Sequence, residues 1–384
     1  MIAERAASLA RSPSPRVVPD RAVSLEPLLS QRDWDDACTA LPGATAFHRY
    51  DFLQLVAPAV HCRFVPLQVL VKGQIAGIVP LLVKQLGPVC TINWVPFPYL
   101  GPLVPTTLLP ATLSALRREG RRRRAIAHQQ SFSHLIGDSP DAGFAAAAAR
   151  TFVISLSGRS DADLLSAMQK KRREEIRRAE RAGYEVGPAE SQDFQQVDDW
   201  IARVYAAQGI RDTYRRGTCE RMFSAMGQGP GSLFHAARLD GQTVGMAATL
   251  GAGRTAFGWQ VAIDPAHRAK HPQALLTWSA LRAARDAGLA EFDLVGSPNE
   301  GIAAYKRRFG AVERNYTVLC RQVAVRRAAF TVVSHHQARA AGRHAQLLAS
   351  KPGVVSASAL RPGTTASEPG LHRCHRLSGN AKSI

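Results

Sequence analysis

Val69-Leu70-Val71-Lys72-Gly73-Gln74-Ile75-Ala76-Gly77-Ile78 is the stretch on which the reading of this sequence turns. Two runs of apolar, largely β-branched residues flank a Lys-Gly pair, the pattern of a β-hairpin closed by a two-residue turn. The pattern returns 168 residues later as Ala237-Arg238-Leu239-Asp240-Gly241-Gln242-Thr243-Val244-Gly245-Met246, again with Gly-Gln-x-x-Gly at the start of the second strand. Further on, Ser114-Ala115-Leu116-Arg117 matches Ser279-Ala280-Leu281-Arg282 at a spacing of 165. Each motif alone is common, so coincidence is the competing explanation. Two matches in one order, at nearly one spacing, point to a duplicated unit. A duplicated α/β unit places its active site in the cleft between the copies.

Working outward from the first hairpin, Phe64–Val71 and Gln74–Val83 read as strands, preceded by short helices over 33–41 and 50–57 and followed by one over 111–124. The second half opens with a strand, Phe152–Leu156. One long helix is expected over 161–182, with Ser160 and Asp163 spaced as a capping box and Gly183 as the stop. A helix over 194–208 leads into a three-stranded meander over 232–263, with turns at Asp240-Gly241 and Gly251-Ala252-Gly253. A helix over 272–287 begins at Pro272 and stops at Gly288. The strand Glu291–Val295, a helix over 299–309 and a strand over 312–324 complete the series. The expectation is an α/β protein with mixed sheets: a leader over 1–20, domains over 21–150 and 151–325, and a tail over 326–384, with both termini disordered.

The chain has 384 residues and a formal net charge of +19. Residues 321–384 carry +9 of this, residues 1–21 carry +2, and the body keeps +8. The basicity is therefore concentrated in a tail, which weakens a nucleic-acid reading without removing it. Six cysteines, none in a CxxC pair, read as reduced thiols. No signal peptide is recognisable at the N-terminus. Between Lys84 and Arg117 no residue is charged, but six prolines interrupt the run. A lipid-exposed helix cannot satisfy that many broken backbone positions, so the segment reads as buried strand and cleft-lining loop in a cytoplasmic protein without a transmembrane segment. No metal-ligand spacing, Gly-x-Ser-x-Gly elbow or Walker loop is present.

Several pieces stand together in one order. They are the basic run Met168–Ala179, the meander Leu233–Asp264 with Gly258-Trp259, and the closing pair Phe292-Asp293-Leu294-Val295-Gly296-Ser297 and Tyr305-Lys306-Arg307-Arg308-Phe309-Gly310. In the first half, Pro96-Phe97-Pro98-Tyr99-Leu100-Gly101-Pro102-Leu103 belongs with them. Together these resemble the FemAB-type peptidyltransferases and the related BioF2-like acetyltransferase domains of the GNAT superfamily, over most of residues 45–320. The resemblance implies tandem GNAT-like domains with a substrate cleft between them. It also implies an acyl donor used as co-substrate (acyl-CoA, an acyl carrier or aminoacyl-tRNA), no permanently bound cofactor, and an acceptor that is a small molecule or envelope precursor. tRNA is then a further partner, and the oligomeric state is left open.

Acyl transfer passes through a tetrahedral oxyanion, and a fixed cation nearby lowers that barrier. Lys306 sits between Tyr305 and the helix end at Gly310. It can be a cleft-facing oxyanion stabiliser, the role the resemblance assigns to it, or a surface lysine beside Arg307 and Arg308. Asp293 can orient the acceptor or hold Lys306, or it can merely cap the loop at Gly296-Ser297-Pro298. Glu300 is a candidate base or a dipole-stabilising residue at a helix start. Trp259, Gln260, Tyr99 and Tyr305 are candidate substrate contacts, although aromatic residues in strands are more often core. The loop His267–Ala274 has Arg268 in the place of a pyrophosphate-binding motif. It carries His271 and Gln273 where acyl-CoA enzymes of the superfamily have glycine, which argues against a close backbone approach to phosphates. Arg268 and Lys270 remain candidate phosphate contacts, as do Arg172 and Arg173 in a run whose acids equally allow a solvated, ion-paired face. The resulting expectation is an acyltransferase acting on an amine or hydroxyl of a cell-envelope or polysaccharide precursor. The alternative is a non-catalytic RNA- or tRNA-binding protein that keeps the fold.

Overall fold

The computed structural model describes residues 23–323 apart from 29, 96, 135–141, 195, 208–213, 227–231 and 298. The leader over 1–20 and the tail over 326–384 lie outside the described residues. The first half runs β1 (Val23–Pro27), α1 (Gln31–Ala40), α2 (Tyr50–Ala59), β2 (Arg63–Val71), β3 (Gln74–Leu86), β4 (Val89–Ile92), α3 (Leu109–Arg122) and β5 (Ala125–Ser131). A connecting unit follows: β6 (Ala145–Ser155), α4 (Asp161–Ala167) and α5 (Lys170–Arg181). The second half repeats the first as β7 (Glu185–Pro188), α6 (Val197–Ala207), α7 (Thr218–Met226), β8 (Ser232–Leu239), β9 (Gln242–Ala252), β10 (Thr255–Ile263), α8 (Pro272–Asp286) and β11 (Glu291–Asp293). The chain then closes with α9 (Glu300–Arg307) and β12 (Val312–Gln322).

Among the described residues the strands form one sheet in the order β1-β2-β3-β4-β5-β12-β6-β11-β10-β9-β8-β7. The pairing types repeat from each outer edge inward. β1 to β4 are mutually antiparallel and β4 is parallel to β5; β7 to β10 are antiparallel and β10 is parallel to β11. The central strands cross over. β6 follows the first half in sequence but pairs with β11, whereas β12 follows the second half and pairs with β5. The expected boundary between residues 150 and 151 falls inside β6, and each half is completed by a strand that leaves the other.

The two hairpins that motivated the duplication share one register. Val71 faces Gln74 and Leu239 faces Gln242, and each ladder slips by one residue just before Gly77 and Gly245. Lys72-Gly73 and Asp240-Gly241 all have positive φ (51°, 73°, 51° and 76°), the type I′ geometry that matches strand twist. A Cβ at Gly77 would come within 2.4 Å of the Leu103 carbonyl oxygen, and one at Gly245 within 2.4 Å of Ile263 Cδ1. Close approach of the Leu103 backbone excludes a side chain at Gly77, whereas a Cβ at Gly245 would require the Ile263 side chain to move.

The expected single helix over 161–182 is two helices. Met168 and Gln169 adopt extended backbone, with ψ of 147° and 146°. The Gln169 amide donates to the Arg308 carbonyl at 3.0 Å instead of to its own helix, and Met168 is buried in the core. The Arg173 guanidinium donates to the carbonyls of Leu165 and Met168 and satisfies the broken end. Ser160 and Asp163 form the reciprocal capping box.

The uncharged run from Lys84 to Arg117 comprises the end of β3, β4, a loop and the first turns of α3. Among the described residues no helix is long and apolar enough to cross a membrane. One apolar cluster spans both halves: Phe47, Phe52, Phe97 and Tyr99 from the first pack with Met246, Phe257 and Trp259 from the second. Two further clusters lie under α8 and α3.

Candidate active site

β10 and β11 pair only over Thr255–Phe257 and Glu291–Asp293, and then part. Asp293 therefore marks the apex of a divergence between two parallel strands. Next to it on β10, the ladder to β9 is irregular between Gly258 and Gln260, so Trp259 sits at a bulge.

The Asp293 side chain is fully buried. Its carboxylate accepts hydrogen bonds from the Tyr99 hydroxyl (2.9 Å), the Thr151 hydroxyl and the Val295 amide (2.7 Å). Nδ1 of His134 lies 3.7 Å from Oδ2. Burial pushes the carboxyl above its usual range, and the hydrogen bonds from Thr151 and Tyr99 oppose that shift. The phenols respond to the same environment. Burial, and then the Asp293 charge, raise Tyr99 and Tyr316. Their rings meet edge to face at 5.0 Å between centroids.

Lys306 projects from the last turn of α9 into this region and is buried, with 8% of its surface exposed. Its Nζ donates to the carbonyls of Val295 (2.9 Å) and Gly296 (2.6 Å). An ammonium has three donors, so one N–H is left over by these two bonds. Burial lowers its pKa from 10.5 to about 8, with the Asp293 charge acting in the opposite direction.

Two residues here hold backbone conformations that L-residues rarely adopt: Tyr99 with φ 63° and Val295 with φ 56°. The β-branched Val295 is the more strained of the two. Both are tied to Asp293, Tyr99 through its hydroxyl and Val295 through its amide. The Val295 carbonyl in turn receives Lys306. One carboxylate thus anchors a loop of the first half, the turn after β11 and, through that turn, the lysine. Backbone strain concentrated in this way is a feature of functional sites.

The other sequence candidates occupy separate surroundings. Tyr305 packs on Phe309 and lies under the Arg172 guanidinium, 4.1 Å from its ring centroid. Arg172 is 2% exposed, is paired with Glu175 at 2.6 Å and donates to the Tyr305 carbonyl. Arg172 and Arg173 thus join α5 to the break before it and to α9. Glu300 is exposed and bonds Arg150 (3.0 Å) and Arg307 (2.5 Å), and both arginines also reach Glu313, closing a ring of four charges over α9, β6 and β12. These bonds lower the Glu300 carboxyl below its ordinary value. Trp259 packs edge-on against Phe52 and Tyr214, and its buried Nε1 has no hydrogen-bond partner among the described residues. Gln260 donates to the Tyr214 hydroxyl at 3.2 Å. Arg268 and Lys270 are exposed on the 3-10 turn Pro265–Lys270, ahead of α8. His271, at φ 64°, forms the cap.

Sequence reasoning missed Thr151, His134 and Tyr316. Each is polar and ordinary in its own segment, and only the crossed central strands bring them to Asp293.

Residues 170–307 match the family model of the acetyltransferase (GNAT) domain. Among solved structures the chain is similar to FemX, at 12% identity and a TM-score of 0.58, over 81% of this chain and 99% of that one. It is also similar to the C-terminal domain of a candidate lysylphosphatidylglycerol synthetase from Agrobacterium fabrum (14% identity, TM-score 0.50, 79% of this chain and 94% of that one). A protein of unknown function from Bacteroides thetaiotaomicron aligns comparably, at 12% identity and a TM-score of 0.50, over 78% of this chain and 100% of that one. At such identities the likeness is one of fold. No curated protein matches the sequence.

Proposed function

We propose that this chain, whose residues 170–307 match the GNAT acetyltransferase domain and whose fold is similar to that of FemX, acts as a FemAB-like transferase that moves an acyl or aminoacyl group to an amine or hydroxyl of a cell-envelope precursor. The observation that carries this reading is the buried ammonium of Lys306. Two of its donors are fixed by carbonyls, and the third, without a hydrogen-bond partner among the described residues, would meet an oxyanion. A donor held in place before reaction costs no reorganisation when charge develops. The positive charge itself is opposed by burial, as expected of a group kept for a developing anion rather than for packing.

The acyl carbon would sit where β10 and β11 part, beside the turn that holds the Lys306 ammonium, with Trp259 of the neighbouring bulge as a candidate lining residue. Arg268 and Lys270 would meet the phosphates of the donor. With His271 and Gln273 where glycines would allow close approach, contact through side-chain charge is the stronger expectation. The division into halves at 21–150 and 151–325 is kept here as a functional one, with Tyr99 the contribution of the first half to the site. The name of the A. fabrum neighbour, a lysylphosphatidylglycerol synthetase, suits an aminoacyl group and a phospholipid acceptor as one form of the reaction. The exposed basic residues of α5 (Lys170, Lys171, Arg177, Arg178 and Arg181) suit the polyanionic part of such a donor.

The test is direct. The purified protein is offered radiolabelled acetyl-CoA or a mixture of aminoacyl-tRNAs, with a peptidoglycan precursor or phosphatidylglycerol vesicles as acceptor. Label is expected in an acceptor from one donor. If RNA binds tightly and no label moves with any pairing, the non-catalytic reading replaces this one.

A further inference from the structure

Transfer to an amine needs a base as well as an oxyanion donor, and none of the residues discussed so far supplies it. Asp293 is fully enclosed and already accepts three hydrogen bonds. Glu300 is bound to two arginines on the surface. Lys306 must keep its proton to act.

His134 has what these lack. It follows β5, at the point where the first half meets the crossed strands. Its Nδ1 is buried, has no hydrogen-bond partner among the described residues, and lies 3.7 Å from Oδ2 of Asp293. A carboxylate behind one ring nitrogen fixes the tautomer and orientation of an imidazole and leaves the other nitrogen as the base. At 3.7 Å the pair is short of a hydrogen bond, and the hydrogen bonds of catalytic groups commonly tighten only when substrate binds. Asp293 is well suited to the supporting position, since Tyr99, Thr151 and the Val295 amide hold it from three directions.

We propose that His134 is the general base of the transfer, with Asp293 as its orienting partner, an inference that rests on the acyl-transfer reading above. Nε2 of His134 takes the proton of the acceptor amine as its nitrogen bonds to the acyl carbon, and Lys306 meets the oxyanion. The tetrahedral intermediate collapses with cleavage of the carbon–sulfur or carbon–oxygen bond to the donor. The proton on Nε2 then passes to the departing thiolate or alkoxide, so no other reactant is needed. Asp293 serves both reactive groups, His134 directly and Lys306 through the Val295 carbonyl.

The experiment uses the full chain and the donor–acceptor pair that the wild type turns over. His134→Gln is expected to lower kcat by about 10²- to 10⁴-fold with little change in KM for the donor, the usual range for a lost acid–base group. His134→Ala should regain part of its rate with added imidazole. A kcat within threefold of wild type in the folded Gln variant, or no rescue of the Ala variant, overturns the proposal. A spectroscopic measurement on the protein with its donor bound stands beside these. Proton NMR of the nitrogen-15-labelled chain should show a downfield Nδ1–H proton of His134 that disappears in Asp293→Asn. If that proton is absent from the donor-bound wild type, the dyad is not formed and the proposal fails. Wild-type protein that transfers nothing sinks the function reading, whereas a transferring wild type with an active His134→Gln variant sinks only this inference.

Discussion

Replacing Lys306 by methionine separates a catalytic lysine from a structural one, because the two roles predict opposite changes in stability. The lysine is buried, and its pKa falls from 10.5 to about 8. At about 1.4 kcal/mol per unit, holding the charge at neutral pH costs the folded state roughly 3 kcal/mol. Methionine removes that cost but leaves the carbonyls of Val295 and Gly296 without their donor. Both residues are only half-buried, so a loss of about 1–2 kcal/mol is the expected offset. The variant should therefore be as stable as wild type at pH 7, or more stable by about 1–2 kcal/mol. Its kcat should fall by about 10²- to 10³-fold, the usual consequence of losing one oxyanion donor. The pH dependence adds a second signature. Between about pH 8 and 10.5 the unfolded chain holds more protons on this residue than the folded one, so wild-type stability rises with pH across that window. Lys306→Met should lack that rise. Urea unfolding at pH 7 and pH 10, with transfer kinetics on the same preparations, measures all of this. A variant that loses more than about 2 kcal/mol yet keeps its kcat would show that Lys306 is a strut for the 295–296 turn and would refute the argument.

Tyr99→Phe removes one of three donors to the Asp293 carboxylate, and should cost about 1.5–3 kcal/mol in urea unfolding and lower kcat more than it raises KM. His48 is buried and neutral, with Nδ1 accepting from the Thr45 amide and Nε2 donating to the Gly101 carbonyl, and burial lowers its pKa from 6.5 to about 4. The stability it contributes is complete above pH 6.5 and is lost as pH falls toward 4, by roughly 3 kcal/mol. Stability measured at pH 7 and pH 5 should therefore differ less in His48→Gln than in wild type. Arg172→Ala leaves Glu175 buried without its partner and should cost about 3–5 kcal/mol, whereas Arg172→Met with Glu175→Leu should recover most of it, as read by thermal unfolding.

What could be read from the sequence was what is decided locally. The two hairpins were legible because a two-residue turn with positive φ leaves its mark in Lys72-Gly73 and Asp240-Gly241. The capping box at Ser160 was legible for the same reason. The break at Met168-Gln169 was not, because what stops the helix is the Arg308 carbonyl 139 residues away. Ala145–Ala149 has the composition of a helix, yet it is the first part of strand β6, paired along its length with Tyr316–Cys320 of β12. Tertiary pairing overrides alanine's helix propensity there. In the site, Lys306 and Asp293 stood out through the resemblance of their motif. The burial of Lys306 did not, since it is flanked by Arg307 and Arg308 and gives no apolar signal. Tyr99 and Thr151 lie 194 and 142 positions from Asp293, and no periodicity reports contacts of that range.

The glycines of the repeat show why two similar halves should make one site. Gly245 on β9 is crowded by Ile263 and Ala262 of the adjacent strand β10. At the matching place in the first half, Gly77 is crowded instead by Leu103 and Val104, beyond a loop that leaves the sheet after β4. That loop is pinned by Asn93, whose side chain accepts from the Leu82 amide and donates to the carbonyls of Pro80 and Leu100, and by the bridge between Ile78 and Leu103. Where the second half has a continuous strand diverging from β11, the first half has a strand interrupted by some ten residues that fold back across the neighbouring half. Tyr99 lies in that interruption and reaches Asp293. On the transfer reading, the first copy has lost the open divergence a donor would need and has become the wall that holds the second copy's carboxylate in place. The absence of charge between Lys84 and Arg117 then has a physical reason: Phe97, Tyr99, Leu100 and Leu103 are buried in the cluster the two halves share, and Cys90, Ile92, Val104, Leu109, Leu113 and Leu116 in the first half's own, where an unpaired charge would be costly.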